Sequence, residues 1–148
     1  MKTNFQTLLI GLLMTAFGCK SQHYTSDNLP TQQLVFGDGG GFTGASTEYI
    51  LLENGQIFKR YSLDNSMLEM GTVKKRQAKE MIKKVQALRL ENMDIKQPGN
   101  LYYFLRYKNG DQEHQIIWGG ESYQIDEKIA TFYKDLTAMI KEVSAPKK

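Results

Sequence analysis

Residues 47–61, which read TEYILLENGQIFKRY, decide the fold. They form two runs rich in β-branched and aromatic residues, as is typical of strands. Asn54-Gly55 lies between the runs, and this dipeptide accepts the positive φ angles of a tight type I′ turn. The stretch therefore predicts an antiparallel β-hairpin.

A second hairpin pattern lies at residues 101–118, LYYFLRYKNGDQEHQIIW, with Asn109-Gly110 at its turn. Successive side chains of a strand point to opposite faces of a sheet, so one alternate set should enter the core and the other should be exposed. Exposed aromatics on an open sheet face often mark a partner site. The candidate sheet-face aromatics are Tyr102, Phe104, Tyr103 and Tyr107.

A helix pattern follows each hairpin. Lys74 to Leu90 has an apolar stripe and a basic opposite face, and Asp126 can cap a second helix that ends at Val143. The basic face is either an ordinary solvated surface or a surface for anionic lipid headgroups. The pattern predicts an α+β two-layer sandwich with a duplicated ββα plan. We expect an antiparallel sheet of four or five strands with both helices on one face.

Five glycines lie between Gly37 and Gly44, after the first strand pattern. The spacing matches GxGxxG, but no helix pattern follows it, which argues against a dinucleotide site. The stretch is either a wide turn or bulge between strands or an exposed recognition loop with Phe42 as its apolar anchor. The candidate binding residues are Asp38, Gly39, Gly40, Gly41, Phe42, Thr43 and Gly44.

The first residues resemble a bacterial lipoprotein signal. Lys2 precedes an apolar run of about ten residues, too short to span a membrane, and Ala16-Phe17-Gly18-Cys19 resembles a lipobox. The resemblance implies cleavage before Cys19 and attachment of diacylglycerol to its thiol, with no cofactor. We therefore expect a protein of the cell envelope, lipid-anchored to a membrane that faces the periplasm or the cell surface.

The predicted organisation has four parts: a signal peptide at 1–18, a lipidated cysteine and flexible tether at 19–33, a single α+β domain at 34–143 and a disordered tail at 144–148. Removing the leader takes away one lysine and no acid, so the formal charge of +3 falls by one. A nearly balanced charge does not favour a nucleic-acid partner.

The chain offers little catalytic chemistry. His23 lies in the tether and His114 on a strand, and no converging set of zinc ligands is evident. We expect neither an enzyme nor a metal site, but a binding module for a protein or an envelope polymer.

The order of features also resembles emfourin, a small proteinaceous inhibitor of thermolysin-type metallopeptidases. The shared elements are Gly40-Gly41-Phe42-Thr43-Gly44, an amphipathic helix, an aromatic hairpin that includes His114, and a closing helix. The likeness covers most of Leu34 to Val143. It implies a similar fold and makes inhibition of such a peptidase the alternative function.

Overall fold

Both predicted hairpins are present in the computed structural model, which describes residues 22–145. The strands in chain order are β1 (Gln33–Gly40), β2 (Ser46–Leu51), β3 (Gln56–Tyr61), β4 (Met67–Thr72), β5 (Lys96–Gln97), β6 (Leu101–Asn109) and β7 (Gln112–Trp118). The helices are α1 (Lys75–Ala87) and α2 (Glu127–Ser144), and Leu90–Asn92 form a short 3-10 turn.

The strands form one open sheet in the order β4-β3-β2-β1-β6-β7-β5. Neighbours are antiparallel except β5, which pairs parallel with β7. The α+β class is confirmed, but the expectation of four or five strands was wrong. The described residues do not form a duplicated ββα plan, because four strands precede α1 and three more lie between α1 and α2. β1 lies at the centre and joins the two hairpins.

Both helices cover one face of the sheet, as expected. The core on this face joins Leu34 and Phe36 of β1 to Ile82 of α1 and Phe132 of α2. The Asp126 carboxylate caps α2 by accepting a hydrogen bond from the backbone N–H of Lys128 at 2.8 Å. Such a cap satisfies a helix donor that has no intrahelical partner.

The opposite face carries a second, smaller core. Val35, Ile50, Phe58 and Phe104 are buried there, and Tyr24 and Leu29 pack against them. Part of the flexible tether predicted at 19–33 therefore packs against this core, through Tyr24 and Leu29. Gln56, a fully buried polar residue, holds this segment by accepting from the backbone N–H of Tyr24 at 2.7 Å and donating to its carbonyl oxygen at 3.0 Å.

Several predictions fall beyond the described residues. The signal peptide at 1–18, Cys19 and the last three residues, 146–148, lie outside them. Ser144 was assigned to the disordered tail but is the last residue of α2. Among residues 22–145, neither helix is long and apolar enough to cross a membrane.

The two ends of the sheet differ in what they carry. The proximal end, as we call it, holds Gln22 and the turns at Asn54-Gly55 and Asn109-Gly110. The distal end holds the turn at 41–45, the turn at 62–66 and the start of β6 at Leu101. β1 connects the ends over eight residues, a length of about 26 Å.

Candidate interaction surface

Exposed large apolar side chains gather in the distal half of the sheet. Phe42 and Leu63 lie on the two distal turns, Leu101 begins β6, and the other three belong to strands that lead to this end. We call this set the distal surface. Its members are Phe42, Tyr61, Leu63, Leu68, Leu101 and Tyr103. Apolar residues gathered on one part of a surface often mark a site for a partner.

Phe42 is the most exposed member. Its side chain has a relative exposure of 108% at the tip of the turn that joins β1 to β2. Backbone hydrogen bonds hold the turn: Gly40 N–H donates to the Ala45 carbonyl at 3.0 Å, and Gly41 N–H donates to the Asn100 carbonyl at 2.7 Å. The positive φ angles of Gly40, Gly41 and Gly44 explain why glycine occupies these positions.

The predicted glycine loop is shorter than the sequence indicated. Asp38, Gly39 and Gly40 belong to β1, so the candidate binding residues that lie in the turn are Gly41, Phe42, Thr43 and Gly44. Of the two readings of this stretch, a turn between strands describes its structure, and a recognition role stays a prediction.

Two strand glycines make room for aromatic rings on the second face. A Cβ on Gly39 would lie 2.6 Å from the Tyr102 hydroxyl oxygen. A Cβ on Gly37 would collide first with the backbone carbonyl oxygen of Thr47 and would also lie 3.0 Å from Phe104 Cζ. The rings of β6 therefore lie across β1, in the space that side chains on β1 would otherwise occupy. This packing explains the glycine-rich sequence without a phosphate ligand.

An aromatic cluster supports the distal surface from the helix face. Tyr103 lies opposite Asp38 in the sheet, and its ring centroid is 6.0 Å from that of Trp118 and 5.4 Å from that of Tyr133. The Tyr133 hydroxyl donates to the Gly37 carbonyl oxygen at 2.9 Å. Burial raises the pKa of the Tyr133 phenol, and the Asp38 carboxylate adds to the effect.

The four predicted sheet-face aromatics do not share a surface. Phe104 is buried and Tyr102 half-buried on the second face, whereas Tyr103 and Tyr107 lie on the helix face. The Tyr107 hydroxyl accepts from the Gln32 side chain at 2.9 Å. Only Tyr103 belongs to the distal surface. The segment that carries Tyr24 and Leu29 covers part of the second face, which was expected to be open.

Sequence reasoning missed four members of the distal surface: Tyr61, Leu63, Leu68 and Leu101. Leu63 and Leu68 flank the polar Asp64-Asn65-Ser66 turn. The available signal for an exposed apolar surface was that these apolar residues lie beside a polar turn and follow neither a helical nor a strand periodicity.

A charged cluster on the second face was also missed. The Glu48 carboxylate accepts from Arg60 Nε at 2.9 Å and from Arg106 Nη2 at 2.5 Å, and its side chain is only 13% exposed. Arg106 Nε is buried and makes no hydrogen bond within residues 22–145. These three residues come from β2, β3 and β6, and β1 lies between β2 and β6, so only the sheet register brings them together.

The two histidines have ordinary structural surroundings. His114 Nε2 lies 2.7 Å from the Met93 carbonyl oxygen, and His23 Nε2 lies 3.4 Å from a carboxylate oxygen of Glu69. Within the described part of the chain, no group of three or more His, Cys, Asp or Glu side chains is placed to hold a metal ion.

No protein-family model matches the sequence, and no curated protein matches it either.

Proposed function

We propose that this chain is a lipid-anchored lipoprotein of the cell envelope that binds a protein or an envelope polymer and catalyses no reaction. The observation that carries the binding role is the gathering of exposed apolar side chains on the distal surface, with Phe42 fully exposed on a hydrogen-bonded turn. Burying one such side chain in a partner contributes roughly 1.5–3 kcal/mol. A turn that is already ordered loses little conformational entropy on binding.

Site-specific photocrosslinking in intact envelopes tests the binding role. A photoreactive phenylalanine analogue at position 101 should crosslink a partner, and the same analogue at exposed Thr72 of the proximal end should not. Phe42→Asp should abolish the crosslink from position 101, whereas Phe42→Leu should keep it because an apolar side chain remains. Equal crosslinking from positions 101 and 72, or a crosslink that survives Phe42→Asp, would contradict the proposal.

The anchor is tested separately by the intact mass of the protein from the membrane fraction. We expect the chain to begin at Cys19 and to carry two or three acyl chains. More than one acyl chain is needed for stable anchoring, since a single chain holds a protein only marginally. A full-length chain with its leader, or a mature chain with a free thiol, would contradict lipid anchoring.

One observation favours the alternative role as an inhibitor of a thermolysin-type metallopeptidase. The Gly40–Gly44 stretch, which carries the resemblance to emfourin, includes the turn that presents Phe42 to solvent. A projecting, hydrogen-bonded turn has a shape that can enter an enzyme cleft. The purified protein should then slow such a peptidase at micromolar concentration, and Phe42→Asp should remove the inhibition. Unchanged peptidase activity would exclude this role.

A further inference from the structure

We propose that the proximal end of the domain rests on the bilayer, where the lysine stripe of α1 contacts anionic lipid headgroups. The inference rests on the proposed lipid anchor at Cys19, and it adds the orientation of the domain and the class of lipid. It would direct the distal surface away from the membrane, toward a partner.

The path of the chain places the anchor near the proximal end. Gln22 is three residues from Cys19, and three residues span at most about 11 Å. The Gln22 carbonyl oxygen accepts from the Asn54 side chain at 2.7 Å, so the chain leaves the domain beside the first hairpin turn. The distal end lies about 26 Å away, along the eight residues of β1.

Helix α1 runs along this same end. Near its start, Lys75 lines a surface cavity together with Gln22 and Asn54, and Lys79 Nζ lies 2.9 Å from a carboxylate oxygen of Glu53. Near its end, Gln86 lines a cavity with Asn109 of the second hairpin turn. One side of α1 therefore faces the proximal end along its whole length.

The side of α1 that faces the proximal end is basic. Lys75, Lys79 and Lys83 follow one another at intervals of four residues, which places them on one face of the helix, and all three are exposed. We call them the lysine stripe. Lys84 lies on a different side, where it pairs with Asp135 of α2 at 3.0 Å. Within residues 22–145, Lys75 and Lys83 make no ion pair.

Two charge patterns point to an anionic surface as the partner. The first turn of α1 contains no acidic residue, although helix N-termini favour negative charge, and Lys75 and Arg76 stand there instead. Anionic headgroups would supply the missing negative charge. Glu53, the acid that lines the cavity beside Gln22, is paired with Lys79, whereas Glu91, Asp111 and Glu113 lie around the second hairpin turn. The lysine-rich half of the proximal end is therefore the half next to Gln22.

Fluorescent labels at the two ends test the orientation. Cys19 is the only cysteine of the chain, so in the acylated mature protein an introduced cysteine is the only reactive thiol. Exposed Thr72 and Thr43 lie at the proximal and distal ends, and each is replaced by cysteine in turn. The proteins are reconstituted in phosphatidylcholine vesicles that carry a headgroup nitroxide, with or without phosphatidylglycerol.

We expect stronger quenching at position 72 than at position 43. Phosphatidylglycerol should increase quenching at position 72, and salt should reverse the increase because exposed charges are screened within about 10 Å at 0.1 M. Lys75→Gln with Lys83→Gln should abolish the increase. The matched control is Lys134→Gln with Lys141→Gln, which removes the same charge from exposed positions of α2. In this control, phosphatidylglycerol should still increase the quenching at position 72.

Three results would overturn the inference. Equal or stronger quenching at position 43 would contradict the orientation. Quenching at position 72 that does not respond to phosphatidylglycerol, or a response that survives Lys75→Gln with Lys83→Gln, would contradict the lipid contact. A chain without acyl groups in the intact mass would remove the anchor itself, and crosslinking from position 101 would then report independently whether the binding role survives.

Discussion

Gly39 lacks a side chain where the ring of Tyr102 packs across β1 on the second face. Its backbone lies in an ordinary strand conformation, so alanine is excluded by contact with neighbours and not by backbone strain. We predict that Gly39→Ala costs about 1–3 kcal/mol of unfolding free energy, the usual range for overpacking. In a Tyr102→Ala background the cost should be smaller, because the closest contact, the Tyr102 hydroxyl, is gone. Urea unfolding of the four proteins measures the difference.

Gly44→Ala is the matched control. Gly44 has a φ of 63°, and no heavy atom would lie within 4 Å of an added Cβ. Its cost, about 1–2 kcal/mol for a left-handed alanine, should be the same with and without Tyr102. If the Gly39→Ala cost were equally insensitive to Tyr102, the ring of Tyr102 would not be the reason for this glycine.

Tyr133 gives the protein a pH dependence in the alkaline range. Burial raises the pKa of its phenol in the folded state, so above the unfolded pKa of about 10 the unfolded chain loses a proton that the folded chain keeps. Stability should therefore be unaffected by this group below pH 10 and should fall as the pH rises further. Tyr133→Phe should cost roughly 1 kcal/mol near neutral pH through the lost hydrogen bond to Gly37, yet decline less steeply above pH 10. If the unfolding midpoints of the unchanged protein and of Tyr133→Phe fell in parallel above pH 10, Tyr133 would not be the titrating group.

Elements encoded by local sequence were predictable, and elements that depend on distant contacts were not. The Asn54-Gly55 and Asn109-Gly110 turns and the Asp126 cap each depend on adjacent residues, and all three are present. β5 has only two residues and pairs in parallel with β7, so no local pattern indicates it. The order of residues 22–32 depends on Gln56, which is more than 20 residues away in the sequence. An exposed Phe42 belonged to one of the two readings of the glycine stretch, and Phe42 is exposed, but its binding role stays a prediction.

The segment at 22–32 should detach when Gln56 is changed. Gln56→Ala removes both hydrogen bonds to the Tyr24 backbone and the bonds to the Asn54 and Glu69 side chains. An unpaired buried group costs about 1–3 kcal/mol, so we expect the segment to open locally and the Tyr24 amide to exchange much faster with solvent. Hydrogen exchange measured by NMR reports this directly. The Ile50 amide, in the middle of the sheet, is the control and should stay protected; equal protection of Tyr24 in both proteins would show that Gln56 does not hold the segment.

At the scale of the whole molecule, the sheet has chemically different ends and two apolar faces. The roles that we propose for the two ends are different, lipid contact for the proximal lysine stripe and partner binding for the distal surface, and a change at one should leave the other intact. The two faces, unlike the two ends, should depend on each other, because both cores are built on the same strands. Phe36 enters the helix-side core and Val35 the second core from adjacent positions of β1. The two cores should therefore fold and unfold together.

Phe104→Ala tests this coupling. Phe104 is buried in the second core, and its truncation should lower the unfolding free energy by about 3–5 kcal/mol. Trp118, the single tryptophan, lies in the core on the other face and reports only on that face. If the sheet couples the faces, the urea midpoint from Trp118 fluorescence should fall as far as the midpoint from far-UV circular dichroism, in one transition. Leu136→Ala, in the helix-side core, is the matched control and should also shift both midpoints together. A fluorescence midpoint unchanged by Phe104→Ala would mean that the second core unfolds as a separate unit, because only then could the face that contains Trp118 remain folded without it.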